Sequence, residues 1–173
     1  SISGPKIIDL ADQVDLQPLA ADVESEEEDH ADADHTEGDG HDHGSRDPHF
    51  WLDPKRMDRA ADGVEDGLSS ASPANAKAFE SNLSNLQGQL GDLDTSFKTG
   101  LASCERTTIV TGHAAFGYLA SEYGLEQVPI SGVDPESEPS PADLAAIKKI
   151  IEETGTTTVF SEELVSPKTS EAL

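Results

Sequence analysis

Two short segments each hold a histidine next to a backbone feature that restricts or redirects the chain. Asp47-Pro-His-Phe-Trp-Leu-Asp-Pro54 sets His49 between Pro48 and an aromatic pair, and Thr111-Gly-His-Ala-Ala-Phe-Gly-Tyr118 sets His113 directly after Gly112. Proline fixes its own φ and so stiffens the first segment. That stiffness suits a metal ligand, which must be held in position before the ion arrives. A neutral imidazole can offer one ring nitrogen to a cation while a neighbour holds the other. Glu162 and Glu163 stand in a similar place late in the chain and add a carboxylate. Four of the six histidines, His30, His35, His41 and His43, fall within the acidic stretch 21–47. This clustering reads as an auxiliary, flexible metal-binding tract. Two imidazoles with a carboxylate suit Zn2+, and suit the harder Mn2+ or iron less well. Each residue also has a plainer reading: His113 as a helix-start histidine, His49 as a surface residue in a turn, Glu162 as a solvated loop acid.

Several other chemistries lack their residues. There is no HExxH pair, and His49 and His113 are 64 positions apart, which argues against a metallohydrolase. Nor is there a Gly-rich phosphate loop, a Ser-His-Asp arrangement or a CxxC. Cys104 is the only cysteine, so neither a disulfide framework nor a cysteine-type zinc site is expected within the chain. The net charge is −24. Residues 21–47 carry twelve acids against one Arg, and the other 146 residues carry 23 acids against 10 bases, so the acidity runs along the whole chain. Such a surface repels nucleic acid and anionic membrane and attracts cations. No run approaches the roughly 18 apolar residues of a membrane span. The opening Ser1–Ala11 has no initiating Met and reads like the middle of a fold, so an internal segment of a longer protein is expected.

The elements that must position these residues follow from pattern. Lys6–Leu10 is a short strand candidate, and residues 21–47 are too poor in apolar side chains to order themselves and are expected to be a disordered loop. Asp53-Pro54 starts a helix to about Ser69, with Asp as the N-cap and Pro in the first turn. Ser72-Pro73 starts a second. In it Ala76, Phe79, Leu83, Leu86, Leu90, Leu93, Phe97 and Leu101 step by 3, 4, 3, 4, 3, 4 and 4, one apolar face of a helix about 40 Å long. Gly88 and Gly91 inside it cost about 1 kcal/mol each relative to Ala. Strands are predicted at Thr107–Thr111, Glu126–Ile130 and Thr156–Phe160, and helices at Ala114–Tyr123, from Ser140-Pro141 to Glu153, and from Ser166-Pro167. This alternation predicts a parallel sheet with right-handed crossovers and helices on both faces. Ligands of such a sheet bind beyond the carboxyl ends of its strands, where His113 and Glu162 are expected.

With these pieces in place the chain resembles the metal-specific solute-binding proteins of bacterial and archaeal ABC importers (solute-binding protein family 9), in particular the zinc-binding subfamily. The resemblance rests on Asp47–Pro54, Ser72–Leu101, Thr108–Tyr118 with Gly124-Leu125, Pro139–Ala142, and Val159–Glu162 with Pro167-Lys168, and covers nearly the whole chain. It implies an α/β protein of two parallel-sheet lobes bridged by one long helix, with the metal in the cleft between them. Residues 1–72 would then close the N-terminal lobe, 73–101 form the bridging helix, and 102–173 open the C-terminal lobe. His49 would match the family's second histidine ligand, His113 its third, and Glu162 a glutamate near the site. The first histidine and a late acidic ligand have no counterpart here. Histidine at 113 favours zinc, since manganese-type relatives often place a carboxylate there. Cys104 would match half of a disulfide found in some zinc members. The resemblance further implies a monomeric, non-enzymatic, extracytoplasmic protein, periplasmic or lipid-anchored, that delivers Zn2+ to an ABC permease and through it serves the ATPase. A surface adhesin or a zinc buffer are the other roles it leaves open.

Overall fold

The computed structural model describes residues 7–19 and 46–162. The histidine-rich stretch as far as residue 45, Glu163 and the helix expected from Ser166 lie outside the described residues. The chain divides into two compact units. One holds Pro48–Glu105 and Tyr118–Gly124 with the N-terminal segment as far as Gln17; the other holds Arg106–Gly117 and the chain from Leu125, together with Pro18 and Arg46–Asp47.

Among the described residues the first unit is helical. Helix α1 spans Pro54–Ala71 and α2 spans Ala76–Leu101. The Asp53 side chain caps α1 by accepting from the Lys55 N–H at 2.9 Å, with Pro54 in the first turn. Pro73–Asn75 forms a 3-10 turn, so α2 begins at Ala76 rather than at the Ser-Pro pair. The buried face of α1 is built from small residues, Ala60, Ala61, Gly63 and Gly67. A Cβ on Gly67 would stand 1.9 Å from Ile8 Cδ1, and one on Gly63 would stand 2.7 Å from Gln13 Cγ. These glycines let the N-terminal segment lie directly on the helix. The strand expected at Lys6–Leu10 is therefore corrected, as far as it is described: Ile7–Asp9 is irregular, and Ala11–Gln13 is a 3-10 turn. A strand needs a neighbour to complete its hydrogen bonds, and none pairs with Ile7–Leu10 among the described residues. The apolar side chain of Ile8 is instead set against α1.

Helix α2 follows the expected stripe, with Phe79, Leu83, Leu90, Phe97 and Leu101 half-buried. No residue of α2 is fully buried, and Leu86 and Leu93 remain exposed. A Cβ at Gly88 or Gly91 would meet nothing within 4 Å, so packing does not require either glycine. No helix among the described residues is long and apolar enough to cross a membrane.

The second unit carries a parallel sheet of β1 (Thr108–His113), β2 (Glu126–Ser131) and β3 (Val159–Phe160) in the order β2-β1-β3. Helix α3 (Gly117–Tyr123) joins β1 to β2, and α4 (Pro141–Thr154) joins β2 to β3. Val110 lies opposite Val128 on one side and Val159 on the other. Val110, Val128, Ile130 and Ile147 of α4 form the core, with Leu144, Ile150, Ile151 and Val159 against it. Pro129 lies on β2, an outer strand of the described sheet, where a missing N–H is tolerated. Helix α4 has a full capping box between Ser140 and Asp143 and ends at Gly155 in the left-handed region (φ 64°).

The β-branched runs did form β1 and β2, with small shifts. Strand β1 continues through Gly112 to His113, because His113 still pairs with Ser131. Helix α3 accordingly starts at Gly117 rather than Ala114. Strand β3 is two residues long rather than five, since only Val159 and Phe160 find partners on β1. The expected loop 21–47 is corrected at its end: Arg46 forms an antiparallel bridge with Pro18, and Asp47 is buried.

Candidate functional site

In the second unit the strand order brings the carboxyl ends of β1 and β3 side by side, while β2 lies on the other flank of β1. A sheet that continues to opposite sides of one strand opens a crevice at that strand's carboxyl end. His113 is the last residue of β1, and Glu162 follows β3 by two residues. The structure brings them together: His113 Nδ1 is hydrogen-bonded to Glu162 Oε1. His113 is buried, while the Glu162 side chain is 32% exposed. The Glu162 carboxylate passes over the Gly112 backbone, where a Cβ would stand 3.4 Å from Oε1. An imidazole whose Nδ1–H is held by a carboxylate keeps its lone pair on Nε2, the tautomer a metal ligand requires.

The backbone of His113 is fixed as firmly as its ring. Its carbonyl accepts from Thr111 Oγ1 at 2.8 Å, from Gln127 Nε2 at 3.0 Å and from the Ala115 N–H at 2.9 Å. Asp47, the first residue of the proline–histidine segment, is buried in this unit. A Cβ at Gly117 would stand 3.3 Å from its Oδ2, so glycine there permits the approach.

In the first unit His49 is half-buried at the head of a 3-10 turn, Phe50–Leu52. The turn is closed by Leu52 N–H to His49 O at 3.2 Å and Asp53 N–H to Phe50 O at 3.1 Å. The His49 ring lies 5.3 Å from the Trp51 ring, which in turn meets Phe50 edge-on at 5.8 Å. Behind the turn, the fully buried Asp53 is paired with Arg56. The Arg56 guanidinium lies over the Tyr118 ring at 4.7 Å, and its Nε donates to Asp15 O at 3.2 Å. Tyr118, from the second motif, is fully buried, and its hydroxyl accepts from Gln17 N–H at 2.8 Å. Further along, Phe97 of α2 stacks on Tyr123 at 5.0 Å. Burial and the nearby Asp94 push the Tyr123 hydroxyl well above its ordinary value. Hydrogen bonding from Lys98 holds Asp94 below the ordinary carboxylate range, and Glu122 raises Lys55.

Among the described residues no three His, Cys, Asp or Glu side chains converge into a group able to hold a metal. His113 and Glu162 form a pair in the second unit, and His49 belongs to the first. His30, His35, His41 and His43 lie outside the described residues. Sequence reading passed over Thr111, Gln127, Arg56 and Tyr118 as supports. Tyr118 was within reach as the last residue of its motif, but the Thr111–Gln127 contact depends on strand register.

The chain matches the family described as ZnuA, zinc-uptake complex component A, periplasmic, over residues 3–173. It is 36% identical to the zinc-binding lipoprotein AdcA of Streptococcus pneumoniae over 94% of this chain and 33% of that protein. It is 37% identical to the high-affinity zinc uptake system protein ZnuA of Bacillus subtilis over 73% of this chain and 40% of that protein. Its fold is similar to the laminin-binding protein Lmb of Streptococcus agalactiae, described as a bifunctional protein with adhesin and metal transporting activity. That likeness has a TM-score of 0.71 at 32% identity, over 73% of this chain and 49% of Lmb. The chain thus spans a third to a half of the length of these proteins. The match over almost its full length shows that this chain belongs to the ZnuA family of periplasmic zinc-uptake components.

Proposed function

We propose that this chain is part of the extracytoplasmic binding component of a zinc ABC importer, in which Zn2+ is the cargo and no bond is made or broken. The observation that carries the reading is His113: buried at the carboxyl end of β1, with Nδ1 held by Glu162. On this reading Nε2 is the atom that His113 offers to the ion. His49 and His113 each supply one imidazole to the captured ion, and Glu162 orients His113 or joins the ion directly. Imidazole donors select zinc over the harder manganese. The remaining ligands belong to parts of the protein without a counterpart in this chain. On this reading residues 1–72 and 102–173 contribute to two lobes and 73–101 to the helix between them. The monomeric protein, periplasmic or lipid-anchored, hands its ion to a permease driven by its ATPase. The loop histidines His30, His35, His41 and His43 assist capture at low affinity. The adhesin activity described for Lmb supports a second, surface role.

Calorimetric zinc titration of the full-length protein with a competing chelator tests this. His49→Ala and His113→Ala should each weaken the tight site by about tenfold or more, since even partners behind a ligand cost 10–100-fold. A tight phase untouched by both substitutions would move the binding to the loop and leave a zinc buffer.

A further inference from the structure

We infer that Gln127, working through Thr111, is a positioning residue that holds His113 in its metal-facing orientation. The inference rests on the zinc-ligand reading of His113. Strand alternation puts Thr111 and His113 on one face of β1 and Gln127 on the same face of β2, opposite the face packed by α4. The Gln127 amide nitrogen donates there to Thr111 Oγ1 at 2.7 Å and to His113 O at 3.0 Å. Thr111 closes the ring by donating its hydroxyl to the same carbonyl at 2.8 Å. Three groups on two strands thus form a closed cycle of hydrogen bonds. With the Ala115 N–H added, three donors share the two lone pairs of one oxygen.

The cycle fixes the backbone at His113. It sets the plane of the peptide that follows His113, and this limits the directions the His113 Cα–Cβ bond can take. Glu162 then fixes the ring about that bond. The ligand is held at the carbonyl by uncharged donors and at the ring by a carboxylate. A glutamate at 127 would keep the shape of the side chain but replace the donating nitrogen by an acceptor oxygen facing a carbonyl and a hydroxyl oxygen. A valine at 111 would remove the shared hydroxyl at constant volume.

The test uses the full-length protein with Gln127→Glu, Thr111→Val and His113→Ala, and with Ile130→Val as a control in the α4-packed core. The readouts are zinc affinity by chelator competition and the visible absorption bands of Co(II) substituted for zinc. Gln127→Glu should weaken zinc about tenfold or more and alter the Co(II) bands, with Thr111→Val following in the same direction. Ile130→Val loosens the same sheet and should leave both readouts as in the parent. Wild-type affinity and spectrum in Thr111→Val and in a folded Gln127→Glu would overturn the inference, as would an equal loss in Ile130→Val. If Gln127→Glu does not fold, Thr111→Val against Ile130→Val decides alone. If His113→Ala itself leaves zinc binding intact, the ligand reading fails; a loss there with neither clamp variant affected sinks only the positioning role.

Discussion

The surroundings of His49 and His113 hold a histidine in different ways. His49 is kept by stiffness and shape: a proline before it, a 3-10 turn after it, and the Trp51 ring beside it. Its surroundings are half open, with Trp51 itself 50% exposed. His113 is buried at the end of a strand and kept by directional polar bonds at both its carbonyl and its ring. Aromatic packing is broad in angle and tolerates small rotations, whereas a closed hydrogen-bond cycle does not. The first region leaves its histidine room to adjust; the second does not.

The contrast is broken most severely at Asp53, the polar exception in the first region. Asp53→Ala removes the α1 cap and leaves the Arg56 guanidinium, 14% exposed, without its carboxylate. Losing one member of a buried pair costs about 3–5 kcal/mol, so urea denaturation should show a loss of that order. A change under 1 kcal/mol would mean that Asp15 and Tyr118 suffice to hold Arg56. A smaller effect sharpens the second region. Glu162→Gln keeps a hydrogen-bonding group on His113 but removes its charge, and zinc affinity should fall by about tenfold. Unfolding should barely move, because Glu162 is partly solvated; the reverse pattern would make Glu162 a structural residue. The smallest effect is on acid stability. The Ser140 capping hydrogen bonds hold Asp143 below the ordinary carboxylate range. A carboxyl lowered by folding stabilises the protein above its unfolded value, and that contribution disappears as pH falls through the lowered one. Asp143→Asn should therefore flatten the acid limb of unfolding as read in the second unit. The Asp94–Lys98 contribution to the first unit should persist in that variant.

Much of this architecture was legible because it is written in local chemistry. The Ser-Pro start and Gly155 stop of α4, the Asp53-Pro54 start of α1 and the leucine stripe of α2 all depend on near neighbours in sequence. The misreadings involve distant partners. Gly112 looked like a strand end, yet pairing of His113 with Ser131 carries β1 past it. Ile7–Leu10 had the composition of a strand, but Gly67 of α1 made a hollow for Ile8 instead. Of the candidate residues His49, His113 and Glu162, the structure joins the last two. Thr111 and Gln127 could not be read in advance, since a threonine and a glutamine in strands are ordinary until the register brings them within 2.7 Å.

The shared carbonyl of His113 also has a consequence for how long this corner of the molecule stays shut. The Ala115 amide lies in a turn, outside any strand, yet it donates to an oxygen that two adjacent strands also grip. Turns ordinarily open by local fraying, with little cost, whereas central strands open only with the unit around them. Here the turn closes on an oxygen that side chains of β1 and β2 also hold, so its acceptor stays in place as long as the sheet does. Its amide should exchange with deuterated solvent at the pace of the sheet, so a stretch of chain that is irregular in form is strand-like in lifetime.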